Sequence, residues 1–134
     1  MASKKPEYYQ PGICNIGADE ILKRKKEFAA SFILTLLLSV LNYFIDDSFG
    51  LWILLFISSC VTAVMYLQVV YRFCVAFGFF KRYNFGVLGS SKKISDPAQG
   101  LRDRKKVLMM GLQALVIGMA YTCLVYLLTR CLLH

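Results

Sequence analysis

Three long uncharged runs alternate with charged segments along this chain. Residues 28–45, 51–71 and 107–129 contain no Asp, Glu, Lys, Arg or His. As helices at about 1.5 Å per residue they are about 27–35 Å long, against a hydrocarbon core of about 30 Å. The pattern predicts an all-α integral membrane protein with three transmembrane helices. Only Asp46-Asp47-Ser48-Phe49-Gly50 separates the first two runs. So short a link forces an antiparallel hairpin, and Tyr43 and Trp52 flank it as aromatics do at a headgroup boundary.

The segments between the runs read differently. Residues 1–17 include Lys4, Lys5, Pro6, Tyr8, Tyr9, Pro11, Gly12, Asn15 and Gly17. Prolines and glycines at this density forbid a regular helix and predict an extended arm. Tyr8, Tyr9, Ile13 and Ile16 are too apolar for a solvated tail and are expected to pack, on the chain's own loop or on a partner. A helix is expected from about Ala18, with Asp19 and Glu20 in a first turn whose dipole favours acids. Residues 18–80 then form a helical hairpin with extensions beyond the membrane. The apolar character persists over 73–80, too few residues to cross again. That stretch either prolongs the second helix or lies in the interface. Residues 81–96, with Asn84, Gly86, Gly89, Ser90 and Ser91, read as a loop. Ser95-Asp96-Pro97 is a helix start, with a capping side chain before a proline at the first helical position. A long helix over 97–131 then includes the third span. Residues 1–134 form one polytopic domain.

One echo recurs: Cys14-Asn15-Ile16-Gly17 precedes the first basic cluster and Tyr83-Asn84-Phe85-Gly86 precedes the second. Asn before an apolar residue and Gly suits a turn with a left-handed position, so we read the echo as shared turn chemistry.

Composition agrees with a membrane chain: 57% hydrophobic and 18% charged, against roughly 45–50% and about 25% in soluble domains. Sixteen Lys and Arg face eight Asp and Glu, a net charge of +8. Placement gives the charge its meaning. Residues 1–27 carry six basic and four acidic groups, and residues 72–106 carry nine and two. Residues 28–71 carry only Asp46 and Asp47, and Arg130 is alone after 106. This is the positive-inside pattern. It places both basic segments and the N-terminus in the cytoplasm and the C-terminus on the outer side, and it makes anionic lipid headgroups, rather than nucleic acid, the partner of the charge. The first run lies behind a lengthy polar leader without a small-residue cleavage site, so it reads as a retained span rather than a signal peptide. A short chain with no sorting motif is expected in a bacterial inner, or plasma, membrane.

The chemistry-bearing residues are sparse. Cys14, Cys60, Cys74, Cys123 and Cys131 lack C-x-x-C spacing and read as small apolar residues, not as a disulfide framework or a zinc site. The single His134 is the last residue. With no Asp, Glu, Lys, Arg or His inside the runs, neither catalytic nor metal residues are identified, and no cofactor is expected. The spans carry small and hydroxyl residues at helical spacing instead: Ser31, Thr35, Ser39 and Asn42; Ser58 with Thr62 and Ser59 with Ala63; Gly111, Ala114 and Gly118 with Gln113 adjacent. Such faces let helices approach closely and bond across the contact. Contacts to headgroups or a partner are expected from Arg72, Lys81, Arg82, Arg102, Arg104, Lys105, Lys106, Tyr8 and Tyr9.

These observations predict a small, non-enzymatic accessory, assembly or stabilising subunit of a larger integral-membrane complex, with other membrane subunits as partners. Two alternatives use the same features. One is a self-associating, holin-like pore former, which requires a homo-oligomer. The other is a small lipid-binding membrane protein working through Arg72, Tyr83, Asn84 and Asp96.

Overall fold

The computed structural model describes residues 8–45 and 48–133. Lys4, Lys5, Pro6, the acidic pair Asp46-Asp47 and His134 lie outside the described residues. The chain is mostly helical, with α1 over Ala18–Phe44, α2 over Phe49–Tyr71, a single short turn α3 over Val75–Phe79, and α4 over Pro97–Leu133. The three long helices are long and apolar enough to cross a membrane.

Local chemistry explains where the elements begin and end. α1 follows Gly17 in an extended conformation and carries Asp19 and Glu20 in its first turn, where they complement the helix dipole. α4 begins at Pro97, with Asp96 Oδ1 accepting from the Ala98 amide at 2.9 Å. This is the capping arrangement that the sequence specifies there. Phe49 and Gly50, assigned to the turn by sequence, belong to the first turn of α2, and Ser48 precedes it. α4 also runs past 131 to Leu133.

The segment after α2 follows neither of the two expected courses in full. Arg72 adopts the left-handed region, with φ 53° and ψ 42°. Its amide and that of Phe73 close back on the last turn, Phe73 N to Gln68 O at 3.1 Å. This is a left-handed C-terminal cap. The Gln68 side chain then accepts from the amide of Val75 at 3.0 Å and starts α3. Residues 81–96 also hold more order than a loop: β1 (Arg82–Tyr83) pairs antiparallel with β2 (Lys92–Lys93).

The long helices lie in a row, α2 between α1 and α4, and the outer two scarcely touch. α1 meets α2 through Thr35, whose buried hydroxyl lies 2.7 Å from that of Ser58 and 2.9 Å from that of Thr62. Asn42 reaches the Leu51 carbonyl at 3.3 Å. α2 meets α4 through a cluster of Ala63, Leu67, Phe73, Met110 and Ala114. Below it Ser59 donates to the Gly118 carbonyl at 3.2 Å. A Cβ on Gly118 would fall on Cys60 Sγ and stand 3.1 Å from the Cys60 nitrogen, so only glycine permits this approach. Ser39 and the Tyr121 hydroxyl, 2.9 Å apart, link α1 to α4. Gln113 and the Tyr71 hydroxyl pair at 3.2–3.3 Å. Two residues of the expected packing faces behave differently. Ser31 bonds back to the Phe28 carbonyl of its own helix, and Gly111 has open space where a Cβ would stand.

Three contacts bring the charged ends of the helices to one level. Lys106 Nζ lies 3.6 Å from the Tyr71 ring centroid. Arg24 Nη2 donates to Cys74 Sγ at 3.1 Å. The Phe28 and Tyr66 rings pack at 5.7 Å. Both basic segments therefore sit at the same end of the helix row.

Candidate functional site

The basic end is closed by a polar clasp. It is assembled from the arm, the first turns of α1 and α4, α3 and the β hairpin. Pro11-Gly12 turns the arm, with Gly12 at φ 72°, a left-handed conformation that glycine adopts without cost. The Gln10 carbonyl collects the amides of Ile13 and Cys14 at 3.0 Å. The turn lays the arm across α4, where Asp103 is fully buried. Asp103 Oδ2 accepts from the Tyr9 hydroxyl at 2.9 Å, and Oδ1 from the Gly12 amide at 2.7 Å. Tyr9 also stacks on Tyr83, with ring centroids 4.8 Å apart.

Asn15, fully buried, forms the second fastening. Its amide nitrogen donates to the Cys74 carbonyl at 3.1 Å, and its Oδ1 accepts from the Cys74 amide at 2.6 Å. The Asn15 backbone amide donates to the Arg72 carbonyl at 3.2 Å. One side chain thus satisfies the backbone that the break after α2 leaves open.

The two echoing tetrapeptides meet here. Asn84 N donates to Asn15 O at 2.9 Å, and Gly17 N to Asn84 O at 2.8 Å, in a parallel bridge. A Cβ on Gly17 would stand 3.0 Å from Phe85 Cα, which is the physical reason for glycine after Asn15-Ile16. The Asn84 side chain organises its own loop. Its Oδ1 accepts from the Gly86 amide and the Ser90 hydroxyl, both at 3.0 Å. Its Nδ2 donates to Val87 O and Glu20 Oε1, also both at 3.0 Å. Glu20 is buried and Arg24 extends the network: Arg24 Nη1 reaches Glu27 Oε2 at 2.6 Å, and Nη2 lies 3.9 Å from Glu20 Oε2.

Burial sets the protonation of the clasp. Asp103, four residues before the third uncharged run, has its carboxyl pushed up by desolvation, with the Gly12 amide and the Tyr9 hydroxyl pulling back. The Tyr9 phenol is held well above its ordinary value, first by burial and then by its bond to the Asp103 carboxylate. Burial likewise pushes the Cys14 thiol up. At neutral pH the phenol keeps its proton and donates.

The headgroup-or-partner residues named from sequence divide into two groups. Tyr9 is internal to the clasp, and Arg72 lends it a carbonyl. Lys81, at φ 56°, lays its stem over Gly100, and Lys106 caps the Tyr71 ring. Arg82 is tied to Ser91 at 2.9 Å, and Arg104 Nε reaches the Phe79 carbonyl at 3.4 Å. Arg82, Arg102, Arg104 and Lys105 are exposed, as are Tyr8 and Ile13. Of the four apolar arm residues, Tyr9 and Ile16 pack within the chain, while Tyr8 and Ile13 face outward, where only a partner could cover them. Of the five cysteines, Cys14 and Cys74 are buried, Cys60 is half-buried, and Cys123 and Cys131 are exposed on α4, a helix long and apolar enough to cross a membrane.

Sequence reasoning did not assign Asn15, Glu20, Arg24 or Asp103 to a common site. Two signals pointed there: the Asn-x-Gly echo, and an isolated acid, Asp103, within a basic stretch. Comparison with protein-family models, curated proteins and solved structures finds no match.

Proposed function

We propose that this chain is a small, non-enzymatic accessory, assembly or stabilising subunit of a larger integral-membrane complex. It resides in a bacterial inner membrane, with the arm and basic loop cytoplasmic and the C-terminus on the outer side. One observation carries the reading. The buried polar groups of the clasp face one another and fix the arm, while Arg82, Lys92, Lys93, Arg102 and Lys105 remain outward on an ordered surface. A fixed, cationic platform on a membrane anchor suits recruitment better than turnover, because the groups with perturbed protonation lie inside the contacts they hold. The lateral apolar faces of α1 and α4 supply the membrane side of such an assembly.

The hydroxyl and amide groups of the spans bond mainly within the chain. That pairing leaves little polar lining for a pore built from identical copies, and it weighs against the holin-like alternative. Extraction from native membranes in a mild detergent, followed by mass spectrometry, tests the proposal. Recovery at fixed stoichiometry with larger membrane subunits is expected. Recovery alone as a monodisperse monomer or homo-oligomer would overturn it.

A further inference from the structure

Two large side chains at the basic end have no partner surface of their own size. Phe79 and Phe80, at the end of α3, are 54% and 66% exposed. Their rings meet edge to face at 5.2 Å. The depth of this pair is fixed by α4. A Cβ on Gly78 would fall 2.7 Å from Val107 Cγ2, and Val107 is the first residue of the third uncharged run. Arg104 Nε donates to the Phe79 carbonyl, and its guanidinium carbon lies 5.7 Å from the Phe79 centroid. Arg104 precedes Val107 by three residues, about 4.5 Å along a helix. The headgroup layer is about 5–8 Å deep on each side of the hydrocarbon. The aromatic pair therefore stands where the acyl chains give way to headgroups. Exposed Lys105 and the Lys81 stem, laid on Gly100, are on the headgroup side of it.

We infer that this α3 shoulder is a binding surface for anionic phospholipid. Phe79 and Phe80 enter the upper acyl layer, and Lys81, Arg104 and Lys105 hold the phosphate. Charge complementarity selects the occupant. Residues 72–106 carry nine basic groups against two acids. Of those acids, Asp103 is buried against the arm and Asp96 caps α4. Asp96 is exposed but engaged at the start of α4, so within this segment a single exposed carboxylate stands against exposed Arg82, Lys92, Lys93, Arg102, Arg104 and Lys105. Aromatic rings flanked by cations are the general chemistry of interfacial anchoring. The inference rests on the basic end lying at a membrane face; it does not depend on which protein the chain assembles with.

Quenching by brominated lipid tests it. The full chain carrying Trp52→Phe and Phe80→Trp is reconstituted into phosphatidylcholine vesicles with a minority of phosphatidylglycerol. Bromine is placed high on the acyl chains of either lipid, at equal mole fraction. Position 80 is two-thirds exposed, and at half-buried Trp52 a phenylalanine keeps an aromatic ring beside Tyr126, so both changes are conservative. The expected result is a quenched indole, with quenching about twofold stronger when the bromine is on the anionic lipid. Arg104→Gln with Lys105→Gln should bring that ratio towards one. An unquenched indole with water-like emission would overturn the placement of the shoulder. Quenching that follows total bromine alone, whichever lipid carries it, would overturn the anionic preference. Either failure leaves the co-purification test of the subunit reading intact, and solitary purification leaves the quenching result intact.

Discussion

Asp103 uses both oxygens to hold the arm, so its substitutions separate shape from charge. Asp103→Ala leaves the Gly12 amide and the Tyr9 hydroxyl unpaired, at about 1–3 kcal/mol for each buried orphan. The expected outcome is release of residues 8–17, read as faster chymotryptic cleavage beside Tyr8 and Tyr9. Tyr9→Phe keeps the stacking on Tyr83 and removes one bond, so a smaller loss of about 1 kcal/mol is expected. The arm should also respond to alkali. The phenol of Tyr9 is raised in the docked state, so that state holds its proton where the free arm loses it. Docking is then fully present below the ordinary tyrosine value of about 10 and is lost as pH rises beyond it. Protection of the arm from protease measured against pH, with Tyr9→Phe as the insensitive control, checks the sign. The sequence displayed Asp103 only as an odd acid among bases; its partners lie more than ninety positions away, a distance that local pattern does not encode.

At the scale of elements, Gly111 and Gly118 separate two roles that look alike in sequence. Gly118 meets the backbone of Cys60, whereas nothing approaches Gly111 within 4 Å. Gly118→Val should force α2 and α4 apart, at about 1–3 kcal/mol for an overpacked contact. Gly111→Ala should be neutral or slightly stabilising, because it removes only backbone freedom. Thermal melting in mild detergent distinguishes them, and equal effects would contradict the packing described. Thr35→Val removes the hydroxyl shared by Ser58 and Thr62, and about 0.6 to 1.7 kcal/mol is expected on membrane scales. The starts of α1 and α4 were legible because acids, a cap and a proline mark them. The end of α2 was not. Apolar residues resume at Phe73 after the single Arg72 and continue to Phe80, and the helix stops through that left-handed arginine and a glutamine side chain rather than through glycine or proline. The two-residue strands are likewise too short to leave a periodic signal.

Across the whole molecule, the row of helices leaves α1 and α4 with one wide apolar flank each, while the charged groups of residues 19–27 and 72–106 collect at one end. The periodicity of three uncharged runs sufficed to read the number of spans. The clasp was not readable, because each of its fastenings joins segments far apart in sequence: Asn15 to Cys74, Glu20 to Asn84, Tyr9 to Asp103. The central proposal is that the two basic segments, which the fold holds at one end of the helix row, lie together on the cytoplasmic face of the membrane. All ten lysines of the chain lie within residues 4–26 and 81–106, so the unaltered protein carries its own reporters. Intact cells are treated with a membrane-impermeant amine reagent, and the modified lysines are mapped by mass spectrometry before and after permeabilisation. The account predicts no modification in intact cells, and modification of exposed Lys23, Lys25, Lys26, Lys92, Lys93 and Lys105 together once the membrane is opened. Modification of one lysine group from outside while the other stays protected would contradict it.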